Sequence, residues 1–194
     1  MHKIMIKQEV FTSQGIDTIL FDGNIADVTI IQSKSNEFKI SQYSMKRIEK
    51  SMEYQSESSN GDLHIKDNSV QVNWLMGIKG SAGISYEIQV PIDKTIELKI
   101  NLNKGNLNIT DGIFSSLNLA IDKGGNINLT NITLESDSEI YTYAGNIDVK
   151  FNSDSSNIMV NAIATSGNKT IDSKYLQGKY QLNIKNDKGN ITVK

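Results

Sequence analysis

Apolar and polar residues alternate along most of this chain, and a glycine resets the alternation at a nearly fixed interval. Gly61, Gly83, Gly105, Gly125, Gly145, Gly167 and Gly189 follow one another at 22, 22, 20, 20, 22 and 22 residues. Most are followed by Asn or Asp and then by an apolar–polar–apolar run: GDLHI, GNLNI, GNINL, GNIDV, GNKTI and GNITV. Alternation with period two is the mark of a strand with one buried face. A strand that recurs every 20 or so residues predicts a stacked β repeat.

The predicted strands come in two sets. The first, just after each glycine, places Leu107 and Ile109, Ile127 and Leu129, Ile147 and Val149, and Ile191 and Val193 on one face. Asn108, Asn128, Asp148, Thr170 and Thr192 fall on the other. The second set, before the next glycine, carries Leu117, Leu119 and Ile121, then Ile158, Val160 and Ala162, then Leu182 and Ile184. Upstream, Ile84, Tyr86, Ile88 and Val90 alternate as far as Pro91, and Ile96, Leu98, Ile100 and Leu102 alternate after it. An imperfect unit, GNIADVTII, begins at Gly23. Between it and Gly61, the stretch around Tyr43, Ile48 and Tyr54 has no sustained helical stripe, so strands joined by a polar loop are expected. The expectation is an all-β chain folded as one domain over residues 1–194. It is a single-stranded β-helix-like solenoid with coils of about 20–22 residues, irregular over 1–60 and regular over 61–194.

The seven glycines are expected at corners, where a short coil needs φ > 0 and Gly adopts it without steric cost. Stacked coils would align Asn106, Asn126, Asn146, Asn168 and Asn190 in a column that hydrogen-bonds along the stack. Lys169 breaks the pattern, standing where its siblings are Leu or Ile, so the column is expected to be thin or open there.

Composition narrows the chemistry. Hydrophobic residues are 38% of the 194, which suits a narrow buried column. The 20 basic and 22 acidic residues leave a net charge of −2, which offers no electrostatic footprint for nucleic acid. Arg47 is the sole arginine, so bidentate phosphate or carboxylate clamps are not expected. With no cysteine, disulfides, thiolate metal sites and cysteine nucleophiles are excluded. No apolar run reaches the roughly 18 residues of a membrane helix. The opening MHKIMIKQEVF also lacks the apolar segment of a signal peptide.

The candidate chemistry is thin. His64 opposes Leu63 and Ile65 and is expected in solvent, and His2 lies at the terminus. NSDSSN offers Asn152, Asp154 and Asn157 as oxygen ligands, with Asp137 and Glu139 one coil earlier, but no calcium-loop motif accompanies them. Asp111, Glu135, Asp137 and Asp148 are acidic without the Arg, Lys or His company of a carbohydrate-cleaving site. No cofactor is implied, and the reading is not an enzyme. Trp74, Leu75, Met76 and Ile78 in WLMGIKG form either a partner contact or a fold-back cover over the stack, the cover being the plainer reading. Tyr141 and Tyr143 form an alternating pair that would suit a sugar ring or simply a strand face.

Three stretches together resemble the bacterial putative-adhesin domain built of β-strand repeats, a domain-of-unknown-function family. They are GIDTILFDGNIADVTII, YEIQVPIDKTIELKINLNKGNLNI and the repeated GN units. The resemblance implies a β-solenoid, placement at the cell surface or envelope, and no catalytic residues. It favours a non-catalytic adhesin-like module with a protein or glycan partner. The alternatives are a protein-interaction scaffold in envelope-stress regulation acting through WLMGIKG and, remotely, a carbohydrate-active enzyme. The chain stops inside a strand at Lys194, so self-association through an open C-terminal coil is also expected.

Overall fold

The computed structural model describes residues 3–69, 72–73, 79–80, 83–153 and 157–194. Within them the chain is all-β, with no α-helix. In chain order the strands are β1 (Ile4–Thr12), β2 (Thr18–Ile25), β3 (Asp27–Ser33), β4 (Glu37–Ser44), β5 (Gln55–Ser59) and β6 (Asp62–Lys66). Then come β7 (Val72–Asn73), β8 (Lys79–Gly80), β9 (Ser85–Pro91), β10 (Thr95–Lys104), β11 (Leu107–Ile121) and β12 (Ile127–Leu134). The last are β13 (Ser138–Ala144), β14 (Ile147–Phe151), β15 (Ile158–Ser166), β16 (Lys169–Ile171), β17 (Tyr180–Lys188) and β18 (Ile191–Val193). Two single 3₁₀ turns, Lys50–Met52 and Ser173–Tyr175, interrupt them. Around Tyr43, Ile48 and Tyr54 the chain has the expected strands joined by a loop: β4 ends at Ser44, β5 begins at Gln55, and the Lys50–Met52 turn lies between them.

Parallel pairing arranges these strands in two ladders. One runs β9–β3–β11–β12–β14–β18–β16 and aligns Tyr86, Val28, Leu107, Ile127, Ile147, Ile191 and Lys169. The other runs β6–β2–β10–β11–β13–β17–β15 and aligns Ile65, Phe21, Ile100, Leu119, Ile140, Ile184 and Ala162. The long strand β11 bends from one ladder into the other, with Asp111 in the left-handed region at its corner. Nearly all the aligned apolar side chains are buried and form one core cluster. Each is expected to contribute about 1.5–3 kcal/mol by leaving water.

The order of layers in space differs from the order in sequence at both ends. The β2–β3 layer lies between the β6–β9 layer and the β10–β11 layer. The β17–β18 layer, although last in the chain, lies between β13–β14 and β15–β16. The terminal strand therefore has neighbours on both sides, and the expected open edge is not at the C-terminal coil. The free edge belongs to β15 and β16. The opposite end is closed by antiparallel strands: β4 on β9, β1 on β4, and β5 on β6.

The corners stack as closely as the strands. A Cβ at Gly189 would lie 1.8 Å from Gly145 O, and at Gly105 1.8 Å from Ala26 O, with φ of 142° and 137°. Both the backbone conformation and the contact demand glycine there. Gly125, Gly145 and Gly167 continue the same stack. Gly61 is different: with Asn60 at φ 52° and Gly61 at φ 88°, it forms the two-residue turn of the β5–β6 hairpin. Gly83 enters β9 beside Met45.

Beside each corner an asparagine accepts from the next layer. Asp27 accepts from Asn106 N, Asn106 from Asn126 N, Asn126 from Asn146 N, Asn146 from Asn190 N, and Asn190 from Asn168 N, all at 2.8–3.0 Å. The expected column exists, with Asn190 and Asn168 exchanged in order and Asp27 at its head.

Candidate binding face

The outward residues of β11, β13, β17 and β15 form one continuous polar face, because register holds the parity of all four strands. One column is Asn118, Glu139, Asn183 and Asn161, and the next is Ala120, Tyr141, Lys185 and Ile163. A third brings Tyr143, Asp187 and Thr165 together. An open cavity of about 910 Å³ at this end of the stack is lined by residues of both faces of these strands, Leu119, Ile140 and Ala162 as well as Tyr141 and Lys185, and by Lys169, Ile171 and Leu176.

The tyrosine rings are held by charge and hydrogen bonding. Tyr141 Oη donates to Asp187 Oδ2 at 3.0 Å, and Thr165 Oγ1 donates to Asp187 Oδ1 at 3.3 Å. Lys185 Nζ is 3.6 Å from Asp187 and 5.5 Å from the Tyr141 ring centre. Lys188 Nζ lies 4.9 Å from the centre of the Tyr143 ring, which is 38% exposed. Desolvation, then the bond to Asp187, raises the Tyr141 pKa above its ordinary value. The Tyr143 hydroxyl likewise raises that of Lys188. Asn161 Nδ2 donates to Asn183 Oδ1 at 3.2 Å. The face presents aromatic surface, amides, ammonium and carboxylate groups, a set suited to reversible contact. Tyr141 and Tyr143 do share the outward side, as their spacing in the sequence implies.

The other candidates are dispersed. Trp74, Leu75, Met76 and Ile78 lie outside the described residues, as do His2 and Asp154. His64 is on the surface with Nε2 2.7 Å from Asp22 Oδ2, and the other oxygen of Asp22 accepts from Asn101 at 3.3 Å. This array contains no nucleophile. Asp111 accepts from Asn131 at a corner, Asp137 accepts from Gln181 N at 2.9 Å, and Asp148 lies in the other ladder. Among the described residues, no three His, Cys, Asp or Glu side chains are grouped to hold a metal ion. No helix among them is long and apolar enough to cross a membrane.

A buried polar network near β9 escaped the sequence reading. Tyr86 Oη donates to Asp67 Oδ1 at 2.6 Å and accepts from Gln42 Nε2 at 2.9 Å. Asp67 also accepts from the backbone N–H groups of Asn24 and Ser69, at 3.1 and 2.9 Å. Tyr54 packs edge-on against Tyr86 with ring centres 5.9 Å apart. Burial first, then the Asp67 charge, pushes the Tyr86 hydroxyl far up; burial and Glu9 do the same to Tyr54. Alternation marked Tyr86 as inward, but nothing local pairs it with Asp67, 19 residues away.

Comparison with known proteins bears on the whole chain. The pattern of the Toastrack DUF4097 family matches residues 82–194, more than half of the sequence. The chain belongs to the Toastrack DUF4097 family. This Toastrack chain is also similar in fold to a solved structure described as a putative cell adhesion protein from Clostridium sporogenes ATCC 15579. The identity is 17%, the TM-score 0.58, and coverage 96% of this chain and 98% of that one. A putative adhesin from Bacteroides fragilis NCTC 9343 aligns at 14% identity and a TM-score of 0.45, over 100% of this chain and 98% of that one. No functionally curated protein matches the sequence. The Toastrack match begins just before β9, so it includes all four strands of the candidate face.

Proposed function

We propose that this Toastrack chain is a non-catalytic, adhesin-like binding module of a bacterial cell surface or envelope. In this reading its layers are the turns of a β-solenoid of about 20–22 residues each, and its ligand is a protein or glycan. The observation that carries the reading is the outward face of β11, β13, β17 and β15, which sets Tyr141 beside Lys185 and holds Asn118, Asn183 and Asn161 in register with Glu139. Such a face suits weak contacts repeated along an extended partner. The likeness in fold to a structure described as a putative cell adhesion protein supports the same direction.

The test is protease shaving of intact native cells, with adhesion of those cells measured in parallel. Loss of the protein from intact cells, and reduced adhesion when Tyr141→Ala and Lys185→Ala are combined, is the expected result. Protection until lysis overturns the surface placement. Unchanged adhesion in the double variant removes this face as the contact.

A further inference from the structure

Charge is unevenly placed along this chain. Residues 158–194, which build β15 to β18, carry six lysines, two aspartates and no arginine or glutamate. Their side chains sum to +4; since the whole chain is −2, residues 1–157 carry −6. The two layers formed by β15 to β18 are neighbours at the free end of the stack, so the asymmetry in sequence is also one in space. A charge imbalance of this kind is a mark of an anionic partner. Two of the six lysines have a carboxylate within ion-pair distance: Lys174 Nζ is 3.9 Å from Asp172, and Lys185 Nζ is 3.6 Å from Asp187. Lys169 donates to Ala162 O, and Lys179 and Lys188 lie with Nζ 4.7 and 4.9 Å from the ring centres of Tyr180 and Tyr143. Among these lysines are the two most exposed large aliphatic side chains of the described residues, Ile163 at 63% and Leu176 at 58%. Both line the open cavity that Lys169, Ile171 and Lys185 also line, and Lys174 and Lys179 flank Leu176 in the run KYLQGK.

We propose that the free end of the stack docks on an anionic lipid bilayer. The lysines meet the headgroups, and Ile163 and Leu176 enter the boundary of the acyl region. Peripheral binding of this kind adds the attraction of each cation to the anionic surface to the burial of apolar side chains. Lysine and tyrosine suit that depth, because each has an apolar body and a polar tip. Four tyrosine–lysine pairs lie at this end, on Tyr141, Tyr143, Tyr175 and Tyr180. Nucleic acid is also anionic, but it fits less well. Residues 158–194 have no arginine for bidentate contact with phosphate or guanine. Exposed Ile163 and Leu176 would also gain little against a charged sugar–phosphate backbone. The docking is independent of adhesion through Tyr141 and Lys185, and the test alters neither residue.

The experiment is flotation of the full chain with vesicles of phosphatidylcholine alone, or of phosphatidylcholine with an equal part of phosphatidylglycerol, at about 0.1 M and about 0.5 M salt. Wild type is expected to bind the phosphatidylglycerol vesicles, to leave them at the higher salt, and not to bind phosphatidylcholine alone. Lys174→Gln with Lys179→Gln should weaken binding about 20-fold, at about fivefold per lysine. Ile163→Asn with Leu176→Asn changes no charge and should weaken binding about tenfold. Lys34→Gln with Lys66→Gln, away from this end, should bind like wild type. All three double variants should keep the wild-type thermal melt, since each alters exposed side chains. The proposal is overturned by absence of binding to phosphatidylglycerol vesicles or by equal binding to phosphatidylcholine alone. It is also overturned by an equal loss in the Lys34 and Lys66 variant or by unchanged binding of the Ile163 and Leu176 variant. Displacement from the vesicles by duplex DNA at equal phosphate concentration would assign the charge to nucleic acid instead.

Discussion

Asn146 Oδ1 accepts the backbone N–H of Asn190 at 3.0 Å, although 44 residues separate them in the chain. The residue one repeat after Asn146 is Asn168, which instead donates to Asn190 from the far side at 2.9 Å. The last layer has been inserted beneath the one before it. Asn146→Ala should leave the Asn190 N–H without this acceptor and cost about 1 kcal/mol. Asn168→Ala removes a side chain whose oxygen accepts from no further layer among the described residues and should cost less. Thermal denaturation of the two variants compares them directly, and an equal cost would contradict the directional ladder.

Gly189→Ala and Gly15→Ala test the corner packing. Both glycines have positive φ, but a methyl at Gly189 meets Gly145 O at 1.8 Å, whereas Gly15 has nothing within 4 Å. Gly15→Ala should cost about 1 kcal/mol, from backbone strain alone. Gly189→Ala should cost several times that, or prevent folding, because the obstacle is backbone. Chemical denaturation measures the difference.

Tyr86→Phe should destabilise the chain by about 1–3 kcal/mol, because the buried Asp67 loses a donor. Chemical denaturation of the variant and wild type measures the loss, and an unchanged midpoint would contradict the buried bond to Asp67.

Alkaline pH should destabilise the protein through Tyr54 and Tyr86. Both hydroxyls have folded pKa values raised above the ordinary 10.0. Above pH 10 the unfolded chain therefore releases phenolic protons that the folded chain keeps, and the stability present below pH 10 declines as pH rises. Tyrosinate absorbance should show these two titrating only together with unfolding. Normal titration of all seven tyrosines in the folded protein would contradict the buried network.

Lys169→Ile should stabilise the chain modestly, by up to about 1 kcal/mol, because it extends the alignment Leu107–Ile127–Ile147–Ile191. The substitution removes the ammonium that now donates to Ala162 O at 3.1 Å. Thermal melting gives the sign, and a loss would show that this bond outweighs the apolar contact.

The sequence by itself determined what depends on neighbours a few residues apart. Alternation assigned Ile140 and Ile184 inward and Tyr141 and Lys185 outward, because strand side chains have period two. The Gly-Asn pairs marked the corners, because few residues accept φ > 0. Gly61 deceived that reading, since with the Asn60 before it this glycine makes a two-residue hairpin turn. Tertiary structure alone decided the order of the layers and the partners of Asp67. One apolar–polar–apolar strand fits against another in any order, so local pattern is degenerate for sequence in the stack. The ends broke the tie. An interior position would enclose Lys169 between apolar layers and strip water from its ammonium, at a cost of several kcal/mol. At the end of the stack Lys169 remains exposed, while β17 and β18 bring Ile184 and Ile191 into the interior.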